Sequence, residues 1–322
     1  MEAIFVGIDV SKDKLDIAVR PSGEVFSTSR DAAGLDVLIT RLASLSLATV
    51  AVEATGGFET VVAASLASAG LPVVVVNPAQ VRAFAQALGK RAKTDPIDAR
   101  VIAHFTEATK PELRPIPDEA TSYLGDLVTR RRQIIAMIVA ERQRQKRLVA
   151  KHLQKSIARL LKALEKELAA LDQEIDDAVR GSPAWREKED LLATAPGIGP
   201  IIARSLIAEL PELGTLGRRE IAALAGLAPF TRQSGQWKGK SAIGGGRPTV
   251  RACLFMAALV AARCNPVLRA FRQRLIEAGK PKLVAVIAVA RKLLTILNAM
   301  LRDQKPWQAI EQKELAHAKP SI

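Results

Sequence analysis

A long proline-free stretch in the middle of the chain constrains the fold more than any other sequence feature. Residues 118–180 contain no proline and, after Gly125, no glycine, so long helices are favoured over alternating strands and helices. The later apolar residues alternate spacings of four and three, which is the coiled-coil pattern, at Ile157, Leu161, Leu164, Leu168, Leu171, Ile175 and Ala178. This helix needs a partner, either the preceding helix folded back as a hairpin or the same segment of another subunit.

The chain before this stretch has the pattern of an α/β domain. Short apolar runs predict strands, and the segments between the later runs are helical in character, which gives the order β-β-β-α-β-α-β-α-α. The first strand ends at Asp9 and the fourth ends at Glu53. Ligands of open sheets with helical crossovers sit beyond the carboxyl ends of the strands. We therefore expect Asp9 and Glu53 to face one site.

Two more carboxylates stand at the start of a predicted helix. Residues 93–100 read Lys-Thr-Asp-Pro-Ile-Asp-Ala-Arg, in which Pro96 suits a first helical turn and Asp95 and Asp98 project from one face. Alone, the pair would be explained by the helix dipole, which favours acids in a first turn. Together with Asp9 and Glu53, however, it predicts four converging carboxylates. Such oxygen ligands hold one or two Mg²⁺ ions in phosphodiester chemistry, and without a cation they would repel one another.

The charge balance indicates a polyanionic partner. The chain has 47 Lys and Arg residues against 33 Asp and Glu residues, a net charge of +14 and a pI near 10.1, which favours nucleic acid over an anionic membrane. No apolar run approaches the length of a membrane span and the start lacks signal-peptide character, so a cytoplasmic protein without a membrane segment is expected. Cys253 and Cys264 lack metal-type spacing and are expected to be small core residues.

Basic residues concentrate in two regions that are expected to bind nucleic-acid phosphates. Acids are sparse beside the arginines of the predicted arm, although a solvated charged face is the alternative. Residues 221–276 contain no acid at all. The candidate contacts are Arg130, Arg131 and Arg142 in the arm, and Arg232, Lys238, Lys240, Arg247 and Arg251 in the acid-free region.

A glycine-rich turn precedes the acid-free region. Residues 195–200 read Ala-Pro-Gly-Ile-Gly-Pro and are followed by apolar helical sequence, like the hairpin of helix-hairpin-helix motifs. In that motif the backbone N–H groups around Gly197 and Gly199 would bind a phosphate. An ordinary glycine turn between packed helices explains the pattern equally well.

Two serines in the acid-free region are candidate nucleophiles. Ser234 and Ser241 lie among cations that could assist attack on a phosphate, although each is more often a loop hydroxyl. Residues 235–241 imitate a phosphate-binding loop, but only three residues separate its glycines and no apolar strand leads into it. Nucleotide binding there is not expected.

The placement of the acids after the first and fourth strands and on a late helix resembles the RNase H and RuvC resolvase fold. Residues 7–11 also resemble the phosphate loop of actin-like sugar kinases, which share the core of that fold. Such kinases would need a second nucleotide-binding half, whereas this chain continues into charged helix.

Several short motifs follow one another along the chain, namely Gly7-Ile8-Asp9, Glu53-Ala54-Thr55-Gly56, Asn77-Pro78, residues 93–100, Pro196-Gly197-Ile198-Gly199, Ala225-Gly226-Leu227-Ala228-Pro229 and Arg291-Lys292-Leu293. Taken in this order, they resemble the one-ten family of insertion-sequence transposases over nearly the whole chain. Each block is modest alone, but the order is specific. Arg232 stands where relatives can have an aromatic residue, and Gly244-Gly245-Gly246 replaces a more basic loop.

This resemblance implies a chemistry and partners that the residues alone do not. Asp9, Glu53, Asp95 and Asp98 would be a DEDD quartet holding Mg²⁺, and Ser234 would attack a DNA phosphate to form a phosphoserine link, with Ser241 a bystander. The implied partners are double-stranded donor and target DNA and a structured non-coding bridge RNA. The resemblance also implies a homo-oligomer, from dimer to tetramer, in which one subunit's quartet meets another subunit's serine.

These inferences predict four segments and leave alternative functions open. We expect an α/β RNase H/RuvC-like domain at 1–112, a coiled-coil arm at 113–182, a mainly α-helical C-terminal domain with a helix-hairpin-helix-like motif at 183–303, and a poorly ordered tail at 304–322. The predicted function is that of a DNA transposase or recombinase. The alternatives are a RuvC-like, structure-selective endonuclease of the Holliday-junction type, which forms no covalent intermediate, and an architectural nucleic-acid-binding protein.

Overall fold

The computed structural model describes residues 3–89, 95–113, 118–231, 233–235, 237–239 and 241–307. The chain divides into two compact units, Met1–Asp118 and Glu119–Ile322, and each unit is described by itself. The division falls between Asp118 and Glu119, and the predicted four segments stay a prediction. The predicted arm and C-terminal domain lie together in the second unit.

The first unit is a five-stranded mixed sheet with helices on both faces. The strands are β1 (Ile4–Val10), β2 (Lys14–Arg20), β3 (Val25–Ser29), β4 (Leu47–Glu53) and β5 (Val73–Val76), and their order in the sheet is β3-β2-β1-β4-β5. β2 is antiparallel to β1 and β3, whereas β4 is parallel to β1 and β5. The helices are α1 (Ala32–Ala43), α2 (Phe58–Ser68), α3 (Pro78–Ala87) and α4 (Asp95–Thr109). The predicted order of strands and helices is confirmed.

The two faces of this sheet differ in the size of their side chains. Because side chains alternate along a strand, Val6 and Ile8 of β1 point to the face that packs against α1 and α2, where they join the buried core. The opposite face carries small residues, including Gly7 of β1 and Ala18 of β2. Ala18 packs against α4 on this face. The small residues allow α4 to approach the sheet closely.

Gly7 sets the distance between α4 and the sheet. A Cβ atom at this position would lie 2.2 Å from the backbone nitrogen of Ala103 and 2.6 Å from the carbonyl oxygen of Ala99. At the other end of α4, the Glu107 carboxylate accepts a hydrogen bond of 2.5 Å from Arg20 Nε, and Arg20 lies opposite the amino end of β1. α4 therefore runs antiparallel to β1, and its first turn lies toward the carboxyl end of that strand.

The second unit begins with a helical hairpin. α5 (Glu119–Arg147) and α6 (Lys151–Gly181) are joined by a short connection and pack against each other. Arg131 pairs with Asp172 at 2.5 Å, and Arg142, farther along α5, pairs with Glu165, which comes earlier in α6. The two helices are therefore antiparallel, so the fold-back alternative describes this chain. Supercoiling of the pair stays a prediction.

The rest of the second unit is helical apart from one small β-region. The elements are α7 (Pro183–Ala193), α8 (Pro200–Glu209), α9 (Arg218–Leu224), β6 (Pro229–Phe230), β7 (Gln233–Ser234), β8 (Trp237–Lys238), β9 (Ala242–Ile243), α10 (Pro248–Cys264), α11 (Pro266–Glu277) and α12 (Lys282–Asp303). The hairpin shares one hydrophobic core with the later helices. Arg132 of α5 also pairs with Glu209 at the end of α8. The hairpin and the C-terminal helices are thus continuous in packing.

α12 forms the centre of the second unit's core. It is long and apolar enough to cross a bilayer by length and composition, but most of this apolar segment is buried among the neighbouring helices, as in the core helix of a globular domain. Trp307, which was expected to lie in a poorly ordered tail, is 4% exposed, and its backbone nitrogen donates to Thr194 Oγ1 at 3.1 Å. The packed domain therefore reaches Trp307, and the remaining tail residues lie outside the described part of the chain.

The two cysteines have different environments. Cys253 in α10 is partly buried, and burial raises the pKa of its thiol to about 11. Cys264 at the end of the same helix is exposed. The prediction of a core position therefore suits Cys253 and was wrong for Cys264, because Cys264 lies on the solvent-facing side of a turn whose other side, with Ala261 and Ala262, is buried.

Candidate functional site

Asp9 and Glu53 lie side by side at the carboxyl edge of the sheet. In the parallel pair, Gly7 is aligned with Ala51 and Ile8 with Val52, so continuing the register by one residue brings Asp9 next to Glu53. Neighbouring strands are about 4.8 Å apart. By alternation, both side chains are on the face that α4 covers. The two partly buried acids therefore share one edge and one face, as the sequence predicted.

The first turn of α4 brings acids to the same edge. Since α4 runs antiparallel to β1, Asp98, which directly precedes Ala99, lies at the carboxyl end of that strand. Asp95 is the first residue of α4, but its side chain falls outside the described part of the chain. Among the described residues, no three His, Cys, Asp or Glu side chains stand close enough to hold a metal ion. The convergence of all four acids therefore stays a prediction, because it depends on the side chain of Asp95.

A further acid, Asp16, adjoins the site and was not predicted from the sequence. It lies directly opposite Asp9 on β2 and is 2% exposed. Its Oδ1 accepts a hydrogen bond of 2.7 Å from Lys14 Nζ and one of 2.6 Å from Ser27 Oγ. Asp16, Asp9 and Glu53 therefore form a row across three neighbouring strands. The signal in the sequence is a lone acid inside an apolar strand, with a lysine two residues earlier on the same face.

The loop after Glu53 is held by a carboxylate of its own. Glu59 Oε2 accepts hydrogen bonds from the backbone nitrogens of Gly57 at 2.8 Å and Thr55 at 3.0 Å. Gly56 and Gly57 have φ values of 76° and 116°, a region that favours glycine. These contacts fix the direction in which the chain leaves Glu53 and enters α2.

Ser234 is exposed beside the turn of a β-ribbon. β6 pairs with β9 and β7 pairs with β8, and in the second pair Ser234 lies opposite Trp237. The two-residue connection begins with Gly235, whose φ of 54° suits a tight hairpin turn. Ser241 is also exposed but lies between β8 and β9, outside the paired residues. Of the two candidate nucleophiles, Ser234 is the one held in strand geometry.

The base of this ribbon is locked by glycines and arginines. A Cβ atom on Gly246, whose φ is 59°, would lie 2.4 Å from the backbone nitrogen of Gly226, so the chains entering and leaving the ribbon touch. Arg251 Nη1 donates to the carbonyl oxygen of Gly245 at 2.7 Å. Arg247 donates two hydrogen bonds of 2.6 Å to the carboxylate of Glu212. Both arginines were predicted to bind nucleic acid, and in the structure their guanidinium groups brace the ribbon.

The other predicted contacts fall into three groups. Arg131 and Arg142 form ion pairs across the hairpin, whereas no described carboxylate forms an ion pair with Arg130. In the turn between α7 and α8, a Cβ on Gly197 would lie 2.8 Å from the backbone of Ala261, while the position at Gly199 opens onto free space. The third group is Arg232, Lys238 and Lys240. Arg232 and Lys240 lie outside the described residues, and so does the side chain of Lys238. Close packing accounts for Gly197, and phosphate binding at this turn stays a prediction.

We expect the Arg247→Gln variant to lose stability. The bidentate pair with the partly buried Glu212 is broken, which costs about 1–3 kcal/mol. Thermal unfolding followed by circular dichroism measures this change. Lys238→Gln, which removes a charge from the ribbon itself, is the matched control and is expected to lower DNA affinity without lowering stability. A stable Arg247→Gln protein that has lost DNA affinity would instead make Arg247 a direct contact.

Comparison with known proteins identifies two family matches. A model described as a transposase, of the IS110 DEDD type, matches residues 6–172. A second model, described as the transposase of the IS116/IS110/IS902 family, matches residues 189–273. The first match contains all four predicted acids, and the second contains Ser234 and the base of its ribbon.

Similar proteins come from several bacteria. The pilin gene-inverting protein of Moraxella bovis is 28% identical over 317 residues, covering 95% of this chain and 98% of the relative. An uncharacterized 42 kDa protein of insertion element IS900 from Mycobacterium paratuberculosis is 33% identical over 159 residues, covering 47% of this chain and 39% of the relative. An uncharacterized 43.6 kDa protein of insertion element IS110 from Streptomyces coelicolor is 30% identical over 151 residues, covering 46% of this chain and 36% of the relative.

Proposed function

This chain belongs to the IS116/IS110/IS902 family of transposases, and we propose that it cuts and rejoins DNA through a covalent link between Ser234 and a DNA phosphate. The edge of the sheet shared by Asp9, Glu53 and the first turn of α4 supports metal-dependent cleavage, and the exposed position of Ser234 beside the ribbon turn supports the covalent step. The full-length likeness to a pilin gene-inverting protein supports DNA rearrangement as the class of reaction.

The acids are proposed to hold Mg²⁺. Carboxylate oxygens are the ligands that Mg²⁺ prefers, and Asp9, Glu53, Asp95 and Asp98 supply only such donors. When bound, the metal would activate the nucleophile and stabilise the leaving oxygen. Asp16 is already paired with Lys14 and Ser27. We therefore leave Asp16 out of the ligand set and assign it a structural role, in which its carboxylate links β2 to β3 through Ser27.

Ser234 is proposed to be the nucleophile. Its Oγ forms a bond to phosphorus while the bond from phosphorus to one DNA oxygen breaks, the serine loses its proton and the leaving oxygen gains one. Because the phosphoserine link keeps an activated phosphate, a DNA hydroxyl can attack it and rejoin strands without hydrolysis. The exposed position beside the ribbon turn supports this role, since a DNA phosphate can reach it.

The proposed partners are double-stranded donor and target DNA, a structured non-coding RNA and further copies of the chain. The net charge of +14 supports a nucleic-acid partner. The quartet and Ser234 lie in different compact units. An active site that combines them across subunits of a dimer or tetramer is the arrangement we propose.

A metal-dependent endonuclease without a covalent intermediate is the second candidate. The acids at the sheet edge favour it equally, because a set of carboxylates that holds two metal ions also supports hydrolysis by water. The two functions differ only in their need for Ser234.

The test is an SDS gel of end-labelled DNA from the element's termini, incubated with protein, Mg²⁺ and RNA from the element's flanks. We expect wild-type protein and Ser241→Ala to give a slowly migrating protein–DNA band, and Ser234→Ala to give none. Both variants change one exposed hydroxyl of the same region, so each controls for the other. Cleaved DNA without a covalent band, with cleavage retained in Ser234→Ala, would establish the hydrolytic alternative.

A further inference from the structure

A cation and an exposed aromatic ring stand together at the carboxyl edge of the sheet. Phe58 is the first residue of α2, five residues after Glu53, and 42% of it is exposed. The guanidinium carbon of Arg30 lies 4.9 Å from the centroid of the Phe58 ring. We call these two residues the Arg30–Phe58 platform. Neither residue belongs to the predicted quartet or to the predicted nucleic-acid contacts.

The topology brings this platform to the same edge as the acids. β1, β3 and β4 point in one direction, since β2 is antiparallel to both β1 and β3 and β4 is parallel to β1. Arg30 follows β3, Phe58 follows β4, and Lys12 lies in the turn that follows β1. Arg30 Nε donates to the carbonyl oxygen of Lys12 at 2.6 Å. The loop that leaves Asp9 therefore holds the guanidinium over the ring.

The charge at this platform suits an anion. Among the described residues, no carboxylate forms an ion pair with Arg30, and Lys12 beside it is exposed. A second cation–π pair in the same unit shows the contrast. Arg41 lies 3.8 Å from the centroid of Phe26 near the amino end of β3, and it pairs with the carboxylate of Glu24. The charge of Arg41 is thus matched within the protein, whereas that of Arg30 is available to a ligand.

We propose that the Arg30–Phe58 platform binds the DNA strand beside the phosphate that reacts. Arg30 contacts a backbone phosphate, and the exposed part of the Phe58 ring stacks on a nucleobase that has left the duplex stack. Arginine and aromatic rings are the groups that bind single strands in this way, and stacking is tolerant of sequence. The inference rests on the proposed function, since it takes the acidic edge as the place of reaction.

The test measures binding without catalysis. Full-length protein is titrated against a fluorescein-labelled 40-nucleotide DNA strand, its duplex and an RNA strand of the same sequence, with Ca²⁺ in place of Mg²⁺, at several salt concentrations. We expect Phe58→Ala to raise the Kd for single-stranded DNA about tenfold and the Kd for duplex DNA less. Phe58→Trp keeps the stacking and is expected to keep the affinity.

The arginine variant reports the phosphate contact. Arg30→Gln is expected to raise the Kd and to reduce the slope of log K against log salt by about 0.7, the loss of one phosphate contact on a single strand. Arg41→Gln removes the matched cation–π pair at the other edge and is expected to change neither quantity. Phe58→Leu and Arg30→Met preserve more of the local packing, remove the ring and the charge respectively, and serve if the other changes prevent folding.

Three results decide the matter. Unchanged DNA affinity and salt slope in Phe58→Ala and Arg30→Gln would overturn the proposal and leave the platform as a brace between loops. Losses confined to the RNA strand would also overturn it, in favour of RNA. Losses on the DNA strand support it, whether or not RNA binding falls too. The covalent-band assay with Ser234→Ala is independent of these titrations, so failure of the platform and failure of the serine mechanism are distinguishable.

Discussion

The Asp9→Asn variant is expected to fold normally and to lose strand transfer by at least about 10³-fold. Asparagine has the shape of aspartate but not its charge, so the oxygen that adjoins Glu53 no longer offers a negative ligand to Mg²⁺. The two side chains have nearly the same size, so the packing of β1 against its neighbouring strands is expected to be preserved. Strand transfer between labelled donor and target DNA measures the effect, and thermal melting confirms folding.

A matched control for this change stands in the turn that follows β1. Asp13 is exposed, and its carbonyl oxygen accepts the backbone hydrogen bond of Arg30. Asp13→Asn makes the same change in charge a few residues away and is expected to leave strand transfer within about threefold of wild type. Full activity in Asp9→Asn, or equal losses in both variants, would contradict a metal-binding role for Asp9.

The second large effect is structural. Gly7→Ala is expected to destabilise the first unit by about 3 kcal/mol or more, because the added methyl group meets the backbone of α4 rather than a flexible side chain. The clash is relieved only if α4 moves away from β1, and this movement would also separate Asp98 from Asp9. Urea unfolding followed by circular dichroism measures the stability, and strand transfer is expected to fall as well.

Gly125→Ala is the control for Gly7→Ala. Gly125 lies inside α5, where a Cβ atom meets nothing within 4 Å. Alanine there favours the helix and is expected to stabilise the second unit by about 0.5–1 kcal/mol. A Gly7→Ala protein that unfolds at the wild-type urea concentration would mean that α4 does not pack on β1 as closely as described.

Local patterns predicted most of the elements because each depends on neighbouring residues. The stretch at 118–180 that was expected to form long helices forms α5 (Glu119–Arg147) and α6 (Lys151–Gly181), and the expected order of strands and helices in the first unit is the observed one. Strand alternation and the open-sheet rule were also sufficient to predict that Asp9 and Glu53 share an edge. The approach of Asp95 stays a prediction, since its side chain is outside the described residues.

What the sequence did not reveal depends on contacts between distant residues. Trp307 is buried, and its backbone nitrogen donates to Thr194, which lies more than a hundred residues earlier in the chain. Nothing in the polar sequence around Trp307 indicates that it packs against the domain. Arg247 stands in an acid-free stretch, yet it is paired with Glu212, which lies just before that stretch begins. Counting charges along the chain therefore overstates the number of arginines that are available to DNA.

The contacts at Glu209 have a mechanical consequence. Its carboxylate pairs with Arg132 of the hairpin, and its carbonyl oxygen accepts a hydrogen bond of 3.1 Å from Arg247 at the base of the serine ribbon. Hairpin and ribbon are thus attached to opposite sides of one residue. Under the proposed function, a partner that displaces the hairpin would reach the base of the ribbon that carries Ser234 through this one residue.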